Sequence, residues 1–213
     1  MSNAIPALTA ERQGAAESWL HVAIDDRRCL IYGPRFGKLY LAPVERLGDR
    51  VFRQMIGLSH RRDEALCDPA ERLGWSLASL GDDMSVQSAW RMRLAYRIFH
   101  HSRHVLPFRL CAKAISFVAG RSAKRAPGGQ SQTEAIARAV AATERAVGIS
   151  DCYPRALMTA WLALAAGQSC ILAIGVLAPT RKMHAWCTIA GILPFEPIAE
   201  HYLYQPAWTI ALS

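Results

Sequence analysis

A thiol and an imidazole are the residues of this chain best suited to covalent chemistry. They occur in Asp151-Cys152-Tyr153-Pro154-Arg155-Ala156-Leu157 and in His184-Ala185-Trp186, with a carboxylate following at Glu196. Ser150 or Asp151 is a residue type that caps a helix N-terminus, and Pro154 is tolerated in a first turn, so Cys152 is predicted at a helix start. The positive end of the helix dipole and the unpartnered amides there favour a thiolate, and a nearby imidazolium would favour it further. Cys152 then serves as nucleophile, His184 as base, and Glu196 as the acid that fixes the imidazole tautomer. Spacing alone does not carry this reading, because free cysteine is among the most buried residue types and such pairs recur by chance.

The elements around the pair must position it. A helical stretch over 156–166 ends at Gly167-Gln168-Ser169 and is followed by a β-rich run from Cys170 to Leu177. A second strand, Met183 to Ala190, carries His184, and Gly191 starts the turn into Ile192-Leu193-Pro194-Phe195-Glu196. A Cys on a helix, a His on a strand and an acid on the next segment is the layout of papain-like and transglutaminase-like catalytic cores. From Cys152 to Glu196, CYPRALMTAWLALAAGQSCILAIGVLAPTRKMHAWCTIAGILPFE resembles the peptidase domain of lasso-peptide biosynthesis B proteins, which are transglutaminase-like enzymes that remove the leader from a precursor. The specific parts are the Cys-x-Pro-Arg-Ala-Leu helix start, Ile174-Gly175-Val176 and His184-Ala185-Trp186. The resemblance implies Cys152 as nucleophile and His184 as base. The family's third member is usually Asp at the position held here by Glu196. Glu has a longer side chain and needs a backbone shift to play that part, so Glu200 is the fallback. Trp186 reads equally as a wall of the site or as core.

The N-terminal part reads separately. Runs over 19–24, 29–32 and 38–41, bounded by Asp25-Asp26, Gly33-Pro34 and Pro43, predict three short strands. Val44, Leu47, Val51, Met55 and Ile56 recur at helical spacing, and Leu73, Leu77 and Leu80 share one face of a helix over 70–80. The expected fold class is therefore α+β: a small winged-helix-like module over 17–85, then a papain/transglutaminase-like catalytic domain over 86–213. The module's layout is similar to the leader-recognition domain that some lasso systems fuse ahead of the peptidase. If it binds a leader, an extended peptide would add to a strand edge, with Leu39, Tyr40, Leu41, Leu73 and Leu77 as the candidate groove. A folding appendage without a ligand is the plain alternative.

Composition fits two cores in one chain. At 213 residues with 52% hydrophobic and 20% charged content, a folded and soluble protein is expected. The uncharged run over 156–180 is broken by Gly167-Gln168-Ser169, so a buried helix plus a buried strand accounts for it better than a membrane span. No export signal is read at the N-terminus, and six scattered cysteines without a close pair fit a reducing cytoplasm better than a disulfide framework or zinc site.

The net charge of +8 is concentrated: Arg91, Arg93, Arg97, Arg103, Arg109, Lys113, Arg121, Lys124 and Arg125 lie in a stretch without one acid. Trp90, Leu94 and Ile98 at helical spacing suggest basic amphipathic helices with a docking stripe that join the modules. An acidic partner, a membrane surface or non-specific nucleic acid would also suit such a stretch. A Gly/Pro/Ser-rich loop is expected over 120–132, then a helix over 133–147. His100 and His104 have a metal-compatible spacing but no third ligand, and read as surface residues; no metal is expected. No P-loop motif is present. By the resemblance, any ATP dependence would belong to a partner, an asparagine-synthetase-like lasso cyclase. The expected function is a cytoplasmic cysteine peptidase that cuts leader from core in a ribosomally made precursor peptide during lasso antibiotic maturation. Rivals are transglutaminase-type acyl transfer, a catalytically vestigial leader-binding scaffold, and a winged-helix nucleic-acid binder.

Overall fold

A computed structural model describes residues 17–19, 21–24, 27–33, 36–49, 51–52, 71–72, 90–119, 130–177, 180–195 and 204–213. In chain order the strands are β1 (Glu17–Trp19), β2 (His21–Ala23), β3 (Arg28–Gly33), β4 (Lys38–Pro43), β5 (Glu71–Arg72), β6 (Cys170–Leu177), β7 (Lys182–Ile189), β8 (Ile192–Leu193) and β9 (Gln205–Leu212). The helices are α1 (Trp90–Ser102), α2 (Phe108–Ala119), α3 (Gln130–Val147) and α4 (Cys152–Ala165). One sheet has the order β1-β9-β6-β7-β8-β5 and the other β2-β3-β4. The described chain is thus mixed helix and strand.

The strand expected over 19–24 is divided between the two sheets. β1 pairs antiparallel with β9, Glu17 opposite Ile210 and Trp19 opposite Trp208, while β2 pairs with β3, His21 opposite Ile31. Glu17 explains the change of partner. Its carboxylate accepts from Trp208 Nε1 at 2.9 Å and from Arg109 Nε at 2.7 and 2.9 Å, with Lys113 Nζ at 3.9 Å. A nearly buried carboxylate needs such partners, and the large sheet and α2 supply them. The N-terminal sheet joins the same core: Val22, Leu30, Ile31 and Tyr32 pack in one hydrophobic cluster with Trp208 and Phe108.

Two expected helices are corrected in the parts that are described. Val44–Gly48 is a 3₁₀ turn, and Asp49 takes up extended backbone before the chain turns helical again at Val51 and Phe52. Asp49 Oδ1 accepts from both of those amides, at 2.8 and 3.2 Å, which ends one turn and caps the next. Glu71–Arg72, expected inside a helix, forms a two-residue parallel pairing with β8; residues 53–70 and 73–80 lie outside the described residues.

The basic segment does contain amphipathic helices, but α1 turns the other face inward. Tyr96 is fully buried and Met92, Ala95 and Phe99 pack against the core, whereas Trp90, Leu94 and Ile98 are exposed at 68%, 49% and 56%. α3 begins at Gln130, inside the span expected to be loop; residues 120–129 lie outside the described residues. No described helix is long and apolar enough to cross a membrane.

α4 runs through the centre with eight buried residues, from Pro154 to Leu164. Its end is a Schellman motif: Gln168 N–H bonds the Ala163 carbonyl at 2.9 Å, Gly167 N–H the Leu164 carbonyl at 2.9 Å, and Gly167 has φ +75°. β6, β7 and β9 are buried along most of their length, as strands covered on both faces must be. The β7–β8 hairpin turns on Ala190 and Gly191, both at positive φ (49° and 80°), as a type I′ turn requires. A Cβ makes that backbone unfavourable at Ala190. Ala190→Asn, which tolerates it, should stabilise the fold by about 1 kcal/mol in a urea melt. An unchanged midpoint would show that the turn is not strained.

Candidate active site

Cys152 is the first residue of α4 and half-buried, held there by Asp151. Asp151 Oδ1 accepts from Tyr153 N–H at 3.1 Å, the N-cap contact expected from the sequence. Its other oxygen, Oδ2, meets His100 Nδ1 at 3.1 Å and Arg103 Nη1, and Tyr96 O–H donates to the Asp151 carbonyl at 3.4 Å. α1 therefore grips the residue before the thiol. The charge of Asp151, which would repel a thiolate beside it, is opposed by the Arg103 guanidinium. One turn on, Arg155 makes a bidentate pair with Glu144 of α3, at 2.8 and 2.6 Å. Both ends of the first turn of α4 are so anchored to other helices. Asp151→Ala removes the cap and should cost about 1–2 kcal/mol of stability, while Asp151→Asn keeps an acceptor for Tyr153 N–H and should cost less. Equal losses in thermal melts would count against the cap.

Sequence reading missed this clamp. His100 reads as a surface histidine, yet its side chain is only 19% exposed and turned to Asp151. His104 is exposed, and its Nε2 accepts from Arg103 Nε at 3.0 Å. Nothing local signals a partner fifty-one residues away. No cluster of three or more metal-ligating side chains occurs among the described residues.

His184 is on β7, opposite Gly175 of β6. Its ring stacks on Trp186, centroids 6.0 Å apart at 23°, and leans on Tyr204 at 5.0 Å. Trp186 alternates onto the same face and is buried with Ala173 and Leu193, so it is both core and neighbour of the imidazole. Gly175 is what lets it lie there. A Cβ at that position would overlap the Trp186 ring and press the Gln205 carbonyl at 3.2 Å, and the β6–β9 register shifts between Ile174 and Gly175.

Cys152 and His184 line one cavity of about 560 Å³. Sharing a cavity places the thiol and the imidazole on one wall, and catalytic contacts of this kind often tighten only when substrate binds. Glu196 and Glu200 lie outside the described residues. Leu39, Tyr40 and Leu41 sit on β4 in the small sheet and are not among the residues lining the cavity; Leu39 and Tyr40 are half-buried and Leu41 exposed. Leu73 and Leu77 lie outside the described residues.

The sequence profile of the transglutaminase-like superfamily matches residues 102–209, from the last residue of α1 into β9. No curated protein and no solved structure matches the chain. Members of that superfamily are generally cysteine proteases or acyltransferases, and a helix-borne thiol sharing a cavity with a strand-borne imidazole is consistent with either. Because the matched segment spans just over half of the chain and contains both Cys152 and His184, the chain belongs to the transglutaminase-like superfamily.

Proposed function

We propose that the chain is a cysteine peptidase that cuts the leader from a ribosomally made precursor during lasso-peptide maturation. The observation that carries it is the single cavity lined by Cys152 at a capped helix start and by His184. The Cys152 thiolate attacks the scissile carbonyl, and the Cys152 backbone N–H, which lacks an intrahelical acceptor at this position, faces the developing oxyanion. His184 protonates the leaving amine and then draws a proton from the water that hydrolyses the thioester. Glu196 orients the imidazole, with Trp186 and Tyr204 holding its ring plane. The assignment to lasso maturation rests on the resemblance of the segment from Cys152 to Glu196. The asparagine-synthetase-like cyclase would then be the partner, and any ATP requirement would be its own. Five free cysteines among the described residues suit a reducing, cytoplasmic setting.

The leader is assigned to the N-terminal segment over 17–85, with 86–213 as the catalytic part. β4 is an edge strand, its outer side not taken by another described strand, which supports addition of an extended peptide beside Leu39, Tyr40 and Leu41. In the antiparallel pair with β3, successive N–H groups alternate in direction, so one of Tyr40 and Leu41 offers its amide outward. Proline at that position should weaken leader binding at least about tenfold in fluorescence titrations. Unchanged binding for both Tyr40→Pro and Leu41→Pro would move the leader elsewhere. The function itself is tested by the mass spectrum of a precursor co-expressed with the chain. Release of leader and core supports the peptidase, a leader acyl group joined to an amine supports acyl transfer, and leader binding without any covalent change supports the vestigial scaffold.

A further inference from the structure

Four large apolar side chains stand partly in water around the cavity that holds Cys152: Phe36 at 46%, Val105 at 78%, Leu106 at 47% and Met183 at 47% exposure. They come from three separate places, the β3–β4 turn, the α1–α2 loop and the start of β7. Among the described residues no acidic one lines the cavity. Of its basic groups, Arg103 is engaged with Asp151 and His104 Nε2 accepts from Arg103, so their polar heads are turned to each other. Tyr32 and Tyr153 add two phenol faces. Burial, with the Cys111 thiol adding to it, holds both hydroxyls well above the usual phenol range, so neither brings negative charge.

The walls are also fixed. Gly37 holds the β3–β4 turn with φ +66° and donates to the Gly33 carbonyl at 2.9 Å; a side chain there would be strained. Leu106 N–H bonds the Ser102 carbonyl at 2.7 Å, and Tyr153 O–H donates to the Leu106 carbonyl at 3.4 Å, tying the α1–α2 loop to the helix that bears the thiol. A volume of about 560 Å³ lies within the range of small-ligand sites.

We propose that Phe36 and Leu106 build a subsite for a bulky aromatic or branched aliphatic group flanking the carbonyl that Cys152 attacks. This deepens the peptidase reading and rests on Cys152 being the nucleophile. It gives the N-terminal sheet a second duty: the β3–β4 turn is part of the wall that selects the scissile bond. Apolar side chains left exposed beside a reactive thiol gain free energy when a matching group covers them, and that gain reports on what the site accepts.

The experiment reads thiol alkylation on the full-length protein, so it needs no turnover. Cys152 Sγ displaces iodide from iodoacetamide or from N-(2-phenylethyl)iodoacetamide: a C–S bond forms, the C–I bond breaks, iodide leaves and the thiol proton passes to His184 or buffer. Rates at Cys152, followed by peptide mass spectrometry, are normalised to the reaction of each probe with glutathione. The phenylethyl probe should be preferred by about tenfold, the scale on which an apolar pocket discriminates. Phe36→Ala and Leu106→Ala should each cut that preference severalfold. Where a variant does not fold, the wild type still decides: N-(2-phenylethyl)acetamide should slow labelling by iodoacetamide, and N-methylacetamide should not. Equal normalised rates without protection overturn the subsite, and so does a preference unchanged in both folded variants. A selective cavity in a chain that cleaves no precursor would instead overturn the peptidase reading alone.

Discussion

Cys152→Ala is expected to abolish leader removal, lowering the rate by about 10⁴-fold or more, because it takes away the proposed nucleophile that forms the acyl intermediate. The side chain is small and half-buried, so the melting temperature should stay within a degree or so of wild type, roughly the effect of a small change at such a site. His184→Ala should be about as severe, since an unassisted thiol and an unprotonated leaving amine stall at the same step. The double variant should be no worse than either single one, as residues acting as a unit are not additive. Precursor cleavage followed by mass spectrometry measures all three. Persisting cleavage in Cys152→Ala would remove the nucleophile from the mechanism. Glu196→Ala should lose less, because a stacked imidazole retains part of its orientation without the acid. A loss in Glu200→Ala but not in Glu196→Ala would move the third role to Glu200.

The second large effect is structural. Glu17→Ala should destabilise the protein by about 2–4 kcal/mol, since it leaves the Arg109 guanidinium and the Trp208 N–H without their shared acceptor in a nearly closed site. Glu17→Gln should cost less, because its carbonyl still serves Trp208. The same argument extends to a fragment. Residues 86–213 alone lack β1, the strand that covers one edge of β9, and lack the Tyr32 ring that lies 6.1 Å from Trp208, a residue with no exposure in the whole chain. That fragment should fail to show a cooperative urea transition. A sharp transition with the far-ultraviolet dichroism of a folded domain would show that the contacts of Glu17 and Tyr32 are dispensable. Point changes on β4 are therefore the cleaner test of leader recognition than cutting the chain near Met84.

Features of the site that depend on neighbours in sequence were legible from it. Asp151 caps the helix that Cys152 begins, Gly167 ends it, and Gly191 makes the hairpin that follows the His184 strand, each through a backbone requirement that one or two residues satisfy. The Ile-Gly-Val strand end was legible as a pattern, but its cause was not: Gly175 is required because the Trp186 ring crosses it from the next strand. The strand over 19–24 shows the opposite case. Alternation is the same whichever sheet a strand joins, so it does not tell that the chain changes sheets between Trp19 and His21, where Trp208 and Arg109 hold Glu17 to the large sheet.

For α1 the sequence offers two apolar stripes, Trp90-Leu94-Ile98 and Met92-Ala95-Tyr96-Phe99, and periodicity cannot rank them. The second is buried because Tyr96 finds an acceptor in the Asp151 carbonyl and Phe99 packs on Trp161 of α4 at 6.4 Å. Residue types and local caps thus determined by themselves that a thiol stands at a helix start and an imidazole on a strand. That the two line one cavity, that His100 and Arg103 hold the residue before the thiol, and that the N-terminal turn forms part of the wall were decided by the tertiary structure. Those contacts join residues far apart in the chain, and their free energy comes from burial and pairing that no local pattern encodes.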